Sequence, residues 1–138
     1  MALLALLAAL AGPAAPPPPV DVRIHEAATA AEALHGPLDG AWTLRDRQGH
    51  VLYLMELADP VGAGHDLQGA WRDPRRADDR EAMGVLKTVR RAADGTLKLA
   101  FDAGVATVAI RLREFGPAVW RGVMRDAVGA RTVVLTRP

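Results

Sequence analysis

The chain has 138 residues, enough for one domain, and its 17 Lys+Arg against 16 Asp+Glu leave a formal net charge of only +1. With both signs interleaved, no whole-chain basic field points to nucleic acid. Cysteine, serine and asparagine are absent, which excludes disulfides, thiolate zinc sites, cysteine and serine nucleophiles, and N-glycosylation.

In chain order, MALLALLAALAGPAA (residues 1–15) joins an apolar run to small residues. It is shorter than the about 20 apolar residues that span a bilayer, and reads as a signal peptide with an A-x-A-like exit. The expected location is therefore periplasmic or secreted, with no stable membrane span after processing. Residues 16–25 follow as a proline-rich extended arm: PPPP is an extended spacer, and Val20, Asp21, Val22, Arg23 and Ile24 alternate like a short strand. Residues 26–37 contain EAATAAEALH, rich in helix formers, and a Gly36-Pro37 stop, predicting a short helix and connector.

From Leu38 the hydrophobic period becomes two. GAWTLRD, HVLYLMELA, DLQGAWRD, MGVLKTVRR, TLKLAFD, VATVAIRLREF, AVWRGVMRD and ARTVVLTR read as strands. Asp94-Gly95 between alternating runs is the strongest hairpin signal. Short connections make sequential strands antiparallel neighbours, and a meander of this length removes its edges by closing. The expected class is all-β: an eight-stranded antiparallel up-and-down barrel over 38–138, preceded by a short N-terminal helix, with a two-sheet sandwich as the competing arrangement. Within it, LDGAW at Leu38 to Trp42 returns as LQGAW at Leu67 to Trp71, and VWRGVM at Val119 to Met124 echoes both. A glycine two residues from each indole would leave room for the ring inside a narrow cylinder, making Trp42, Trp71 and Trp120 interior plugs. With Phe101 they would also line a cavity, if one exists, for a small apolar ligand.

No catalytic constellation stands out, and no cofactor or metal is expected. His25, His35, His50 and His65 share no ligand spacing. Glu56 is expected to face outward, opposite an arginine of the next strand. Arg111 and Arg113 belong to the outer face. The charged loop Arg72 to Glu81 reads as a solvated cluster that could contact a partner.

The stretches AAEALHGPLDGAWTL (Ala30 to Leu44), RRAADGTLKLAF (Arg90 to Phe101) and WRGVMRDAVGARTVVL (Trp120 to Leu135) resemble the small periplasmic metalloprotease inhibitors of bacteria, the alkaline-protease inhibitor family. A weaker resemblance, carried by G-x-W at the opening of the barrel, is to lipocalins and avidins. The first resemblance implies a monomeric, non-enzymatic binding protein whose arm, Val20 to Ile24, lies extended in the cleft of a secreted metalloprotease while the barrel rim makes a second contact. A proline-stiffened arm loses little entropy on such insertion. The second implies a lipocalin-like carrier of a small apolar ligand. An envelope scaffold acting through the Arg72 to Glu81 loop is the remaining reading. The cysteine pair usual in the inhibitors is absent, as are the serine and asparagine side chains on which an avidin pocket depends.

Overall fold

The computed structural model describes residues 15–32, 35–60 and 67–138. The expected signal segment up to residue 14, Leu34, and the loop holding His65 lie outside them. One helix, α1 (Val20–Glu32), precedes β1 (Gly40–Asp46), β2 (Val51–Ala58), β3 (Gln68–Arg72), β4 (Met83–Val85), β5 (Thr88–Arg91), β6 (Leu97–Ala103), β7 (Ala106–Gly116), β8 (Val119–Asp126) and β9 (Gly129–Thr136). These nine strands form one curled, antiparallel, half-barrel sheet in the order β4-β3-β2-β1-β9-β8-β7-β6-β5.

Among the described residues nine strands stand where eight were expected. MGVLKTVRR is not one strand against one neighbour, because it changes partner at its middle. β4 pairs with β3 and β5 with β6. Between them the Leu86 N–H donates to the Gly69 carbonyl and the Lys87 N–H to the Ala100 carbonyl, each at 2.8 Å. The two outermost strands of the sheet are thus consecutive in the chain. Curvature of this degree follows from the right-handed twist of antiparallel strands, with irregularities at Leu44/Arg45 and Glu114/Gly116 adding bend.

Alternation sends one face of nearly every strand inward. Leu97, Leu99 and Phe101 on β6, Val108, Ile110 and Leu112 on β7, and Val133 and Leu135 on β9 are all buried. The irregularity in β1/β2 pairing lets Leu52 and its neighbour Tyr53 both be buried, which explains why β2 reads as apolar on both faces. At about 25 cal/mol per Å² of apolar surface, this single contiguous core is the dominant favourable term for the fold.

The N-terminal segment is a second correction. Val20 to Ile24 are not extended; they form the first turn and a half of α1. Val20, Ile24, Ala27, Ala28 and Ala31 satisfy a helical stripe as well as Val20, Val22 and Ile24 satisfy a strand. Five alternating residues with no sheet edge to join cannot hold a strand. The helix formers of EAATAAE therefore propagate back to Pro19, whose carbonyl accepts from the Arg23 N–H at 3.2 Å. Asp21 in the first turn favours the positive end of the helix dipole.

The packed body begins at the connector. The Gly36 N–H donates to the Asp59 carbonyl at 2.6 Å, and the Leu38 N–H donates to the Asp59 carboxylate at 3.0 Å. The Asp59 N–H returns to the Asp39 carboxylate at 3.0 Å. A side chain on Gly36 would collide with the Asp59 carboxylate. This latch holds the connector into β1 against the residue that follows β2.

Candidate functional site

The three tryptophans are interior, as the period-two pattern requires. Trp42 on β1 donates from Nε1 to the Leu38 carbonyl at 2.7 Å, and the Arg137 guanidinium sits 4.5 Å from its ring centroid. Trp71 on β3 stacks on Phe101 of β6, while Tyr53 meets both rings edge-on at 5.8 and 4.9 Å. The four residues expected to line a cavity thus divide into two groups: Trp71 with Phe101, and Trp42 with Trp120. Tyr53 joins the first group, and the sequence reading missed it because β2 shows no clean alternation.

The glycines beside the indoles act differently from expectation. A side chain on Gly69 would meet Leu86 Cδ1 at 2.6 Å and Leu57 Cδ2 at 2.8 Å, so this glycine makes room for leucines rather than for Trp71. The residue that lies against the Trp71 indole is Gly84. Gly122 faces neither: a Cβ there would run into the Arg111 carbonyl of the neighbouring strand. What Gly122 permits is close backbone approach of β8 to β7.

Trp42 and Trp120 border a rim cleft of about 260 Å³, completed by Pro37, Arg91, Glu114 and Ala118. Arg91 lies 5.9 Å from the Trp120 ring centroid, and Glu114 is the cross-strand partner of Trp120. The cleft therefore offers two indole edges and one charge of each sign. Pro37 belongs to the connector that leads into β1. Along α1, Val20 and Ile24 are 59% and 63% exposed and make no contribution to the core.

On the other side of the sheet, a shallow groove of about 620 Å³ crosses β1 to β4. Its outward residues include Ala41, Leu54, Ala70, Met83 and Val85. Glu56 lies in it, exposed as expected, but its direct partners are Ala41 and Ala70 rather than an arginine.

The Arg72 to Glu81 loop is more ordered than a solvated cluster. Two short 3-10 turns, Pro74–Arg76 and Arg80–Ala82, are capped by the Asp73 and Asp79 side chains. Arg75 grips Asp73 with Nε at 2.8 Å and Nη2 at 2.9 Å, and Arg76 pairs with Asp79. The hydrogen bonds from Arg75 hold the Asp73 carboxyl below the usual carboxylate range. Burial pushes the Tyr53 phenol upward. The loop spends its main charges on itself. His35 contacts Asp39 at 2.7 Å and His50 contacts Asp46 at 3.1 Å. Among the described residues no cluster of three or more His, Cys, Asp or Glu is placed to hold a metal. No described helix is long and apolar enough to cross a membrane.

Compared with protein-family models, curated proteins and solved structures, the chain matches none.

Proposed function

We propose that this chain is an exported, non-enzymatic binding protein of the protease-inhibitor-like type, recognising a secreted metalloprotease through Val20 to Ile24 and the rim cleft at Trp42 and Trp120. The observation that carries this reading is the exposure of the aliphatic residues Val20, Val22 and Ile24 on a helix that adds nothing to the core, in a chain whose connector residue Pro37 lines the Trp42/Trp120 cleft. Aliphatics left outside a core on a segment joined to a rigid sheet suit a recognition element. The helical state of the free segment is compatible with insertion. A 13-residue helix without tertiary packing is marginal in water, so opening its first turn inside a cleft costs little. The same reading takes the run 83–91 as one partner-switching strand that closes the sheet into an eight-stranded barrel. The bonds from Leu86 to β3 and from Lys87 to β6 support that closure.

The lipocalin-like alternative fares less well. Trp42, Trp71, Phe101 and Trp120 are packed into one core, and the cleft at Trp42 falls below the roughly 300–1,000 Å³ of a drug-sized pocket. The scaffold alternative relies on a loop whose Asp73, Arg75, Arg76 and Asp79 are already paired.

A panel of secreted zinc metalloproteases tests the proposal, using the intact exported protein, a form trimmed before Glu26, and a Val20→Asp/Ile24→Asp variant. Intact protein should inhibit at least one protease. Both altered forms should lose about 100-fold or more in potency, the effect of removing two buried aliphatic contacts. Their near-ultraviolet circular dichroism should match the intact protein. Equal potency in the trimmed form, or no inhibition across the panel, defeats the arm mechanism.

A further inference from the structure

Balanced net charge conceals a one-sided surface. Alternation on β5 to β8 turns Arg90, Lys98, Arg111, Arg113, Arg121 and Arg125 away from the core. Register then brings like charges together. Arg90 stands opposite Lys98, Lys98 opposite Arg111, and Arg113 opposite Arg121. Directly opposed like charges on one face of an antiparallel sheet are destabilising. Elsewhere the same region supplies acids where cations need them: Lys87 has Asp102 and Arg131 has Asp126. On this face the nearest acid is Asp94, 3.7 Å from Arg113, with both side chains more than half exposed. Among the described residues Arg90, Lys98, Arg111, Arg121 and Arg125 make no ion pair. Arg121 lies 3.7 Å from the Phe115 ring centroid, which orients the guanidinium without neutralising it.

The face is also dented. A depression of about 420 Å³ lies over the stretch where β8, at Gly122, runs close to the Arg111 carbonyl of β7. Arg111, Arg113, Arg121 and Arg125 border it, with Asp94 the sole acid in its lining. Strands about 5 Å apart and alternate residues about 7 Å apart set the spacing between the bases of these side chains. Long, jointed side chains on that grid can converge on neighbouring phosphate groups. All four cations at the dent are arginines, whose planar fork accepts a phosphate through two parallel hydrogen bonds. A terminal phosphate carries nearly two negative charges, which matches four guanidinium groups around so small a volume better than a single carboxylate does. Phe115, already covered by Arg121, is the only aromatic residue on this face, so a stacking platform for nucleobases is missing.

We propose that the dent around Gly122 on the outer face of β7 and β8 is a binding site for a compact ligand carrying two or more closely spaced phosphate groups. This site stands apart from the arm and rim cleft, and neither proposal depends on the other.

Titration calorimetry of the full exported chain with tripolyphosphate tests it. One saturable site is expected, weakening as salt rises. The Arg111→Gln/Arg121→Gln variant should bind about 10-fold or more weakly, the effect of removing charge-assisted bonds. An Arg47→Gln variant, altered at an exposed turn away from the dent, should bind like the parent. These exposed positions leave the core untouched, and tripolyphosphate should raise the parent melting temperature but not that of the dent variant. Absence of saturable binding, or equal binding by the dent variant, overturns the proposal. So does a single-stranded oligonucleotide that binds at least about 10-fold tighter than tripolyphosphate and depends equally on Arg90 and Lys98, since that result marks a polymer track. Capture by anionic phospholipid vesicles that tripolyphosphate cannot compete away also overturns it.

Discussion

Trp71 and Phe101 stack with ring centroids 4.5 Å apart and planes 27° apart, although β3 and β6 share no hydrogen-bonded ladder. The contact spans the interior and ties the two flanks of the curled sheet, with Tyr53 wedged edge-on against both rings. Replacing Phe101 or Trp71 with alanine should cost about 3–5 kcal/mol in denaturant unfolding. A double-mutant cycle on the pair should give a coupling of about 0.5–1.5 kcal/mol beyond the separate losses. Additive losses would mean that the rings merely fill space.

Glycine substitutions should rank by what the new Cβ meets. At Gly122 it meets the Arg111 backbone, which cannot move without disturbing the β7/β8 ladder. At Gly69 the nearest atoms are the ends of the Leu57 and Leu86 side chains, which can rotate. Gly122→Ala should therefore lose about 3 kcal/mol and Gly69→Ala about 1 kcal/mol, the upper and lower parts of the overpacking range. Thermal unfolding of both variants checks the order.

Acid should release the loop before β4. Asp73 is nearly buried, and its carboxyl is held low first by hydrogen bonds from the Arg75 side chain and then by the Arg75 N–H. For a carboxyl whose folded pKa is depressed, the stabilisation is fully present above the unfolded value of about 3.9 and is lost as pH falls through the folded pKa. Asp73→Asn should lower stability at neutral pH and flatten its decline below about pH 4. Urea midpoints from acid to neutral pH read this directly.

The Tyr53 phenol should titrate in the opposite sense. Burial raises its pKa above the ordinary value of about 10, so the folded state favours the neutral form. Its share of stability is complete below that ordinary value and disappears as alkaline pH passes the folded pKa. Tyr53 is the only tyrosine, so phenolate absorbance reports this residue alone. A titration midpoint at or below about 10 would contradict its packing against Trp71 and Phe101.

Charged substitutions on α1 should leave stability unchanged. Val20→Asp and Ile24→Asp each fall at a position outside the core, so unfolding free energy should move by no more than about 0.5 kcal/mol. A larger loss would show that the helix docks on the sheet.

Much of the strand pattern was legible because it rests on local rules. Leu97, Leu99 and Phe101 alternate with polar neighbours, and the Asp94-Gly95 turn between β5 and β6 needs only the chemistry of those two residues. The candidate sites were less legible. The rim cleft joins Pro37, Trp42, Arg91 and Trp120, and the outer dent gathers arginines from two strands around one glycine. Counting charges along the chain averages such a face away, because acids close in sequence are turned elsewhere.

By itself, the sequence determined the all-β class, the inward burial of Trp42, Trp71 and Trp120, and the exclusion of thiol and serine chemistry. Period-two alternation and residue inventory are properties of short stretches, and they survive any choice of strand partner. Only the tertiary structure decided that the chain changes partner at Leu86, that Val20 to Ile24 are helical, and that Arg113 confronts Arg121. Those outcomes depend on register and curvature, which arise from hydrogen bonds between residues far apart in the chain.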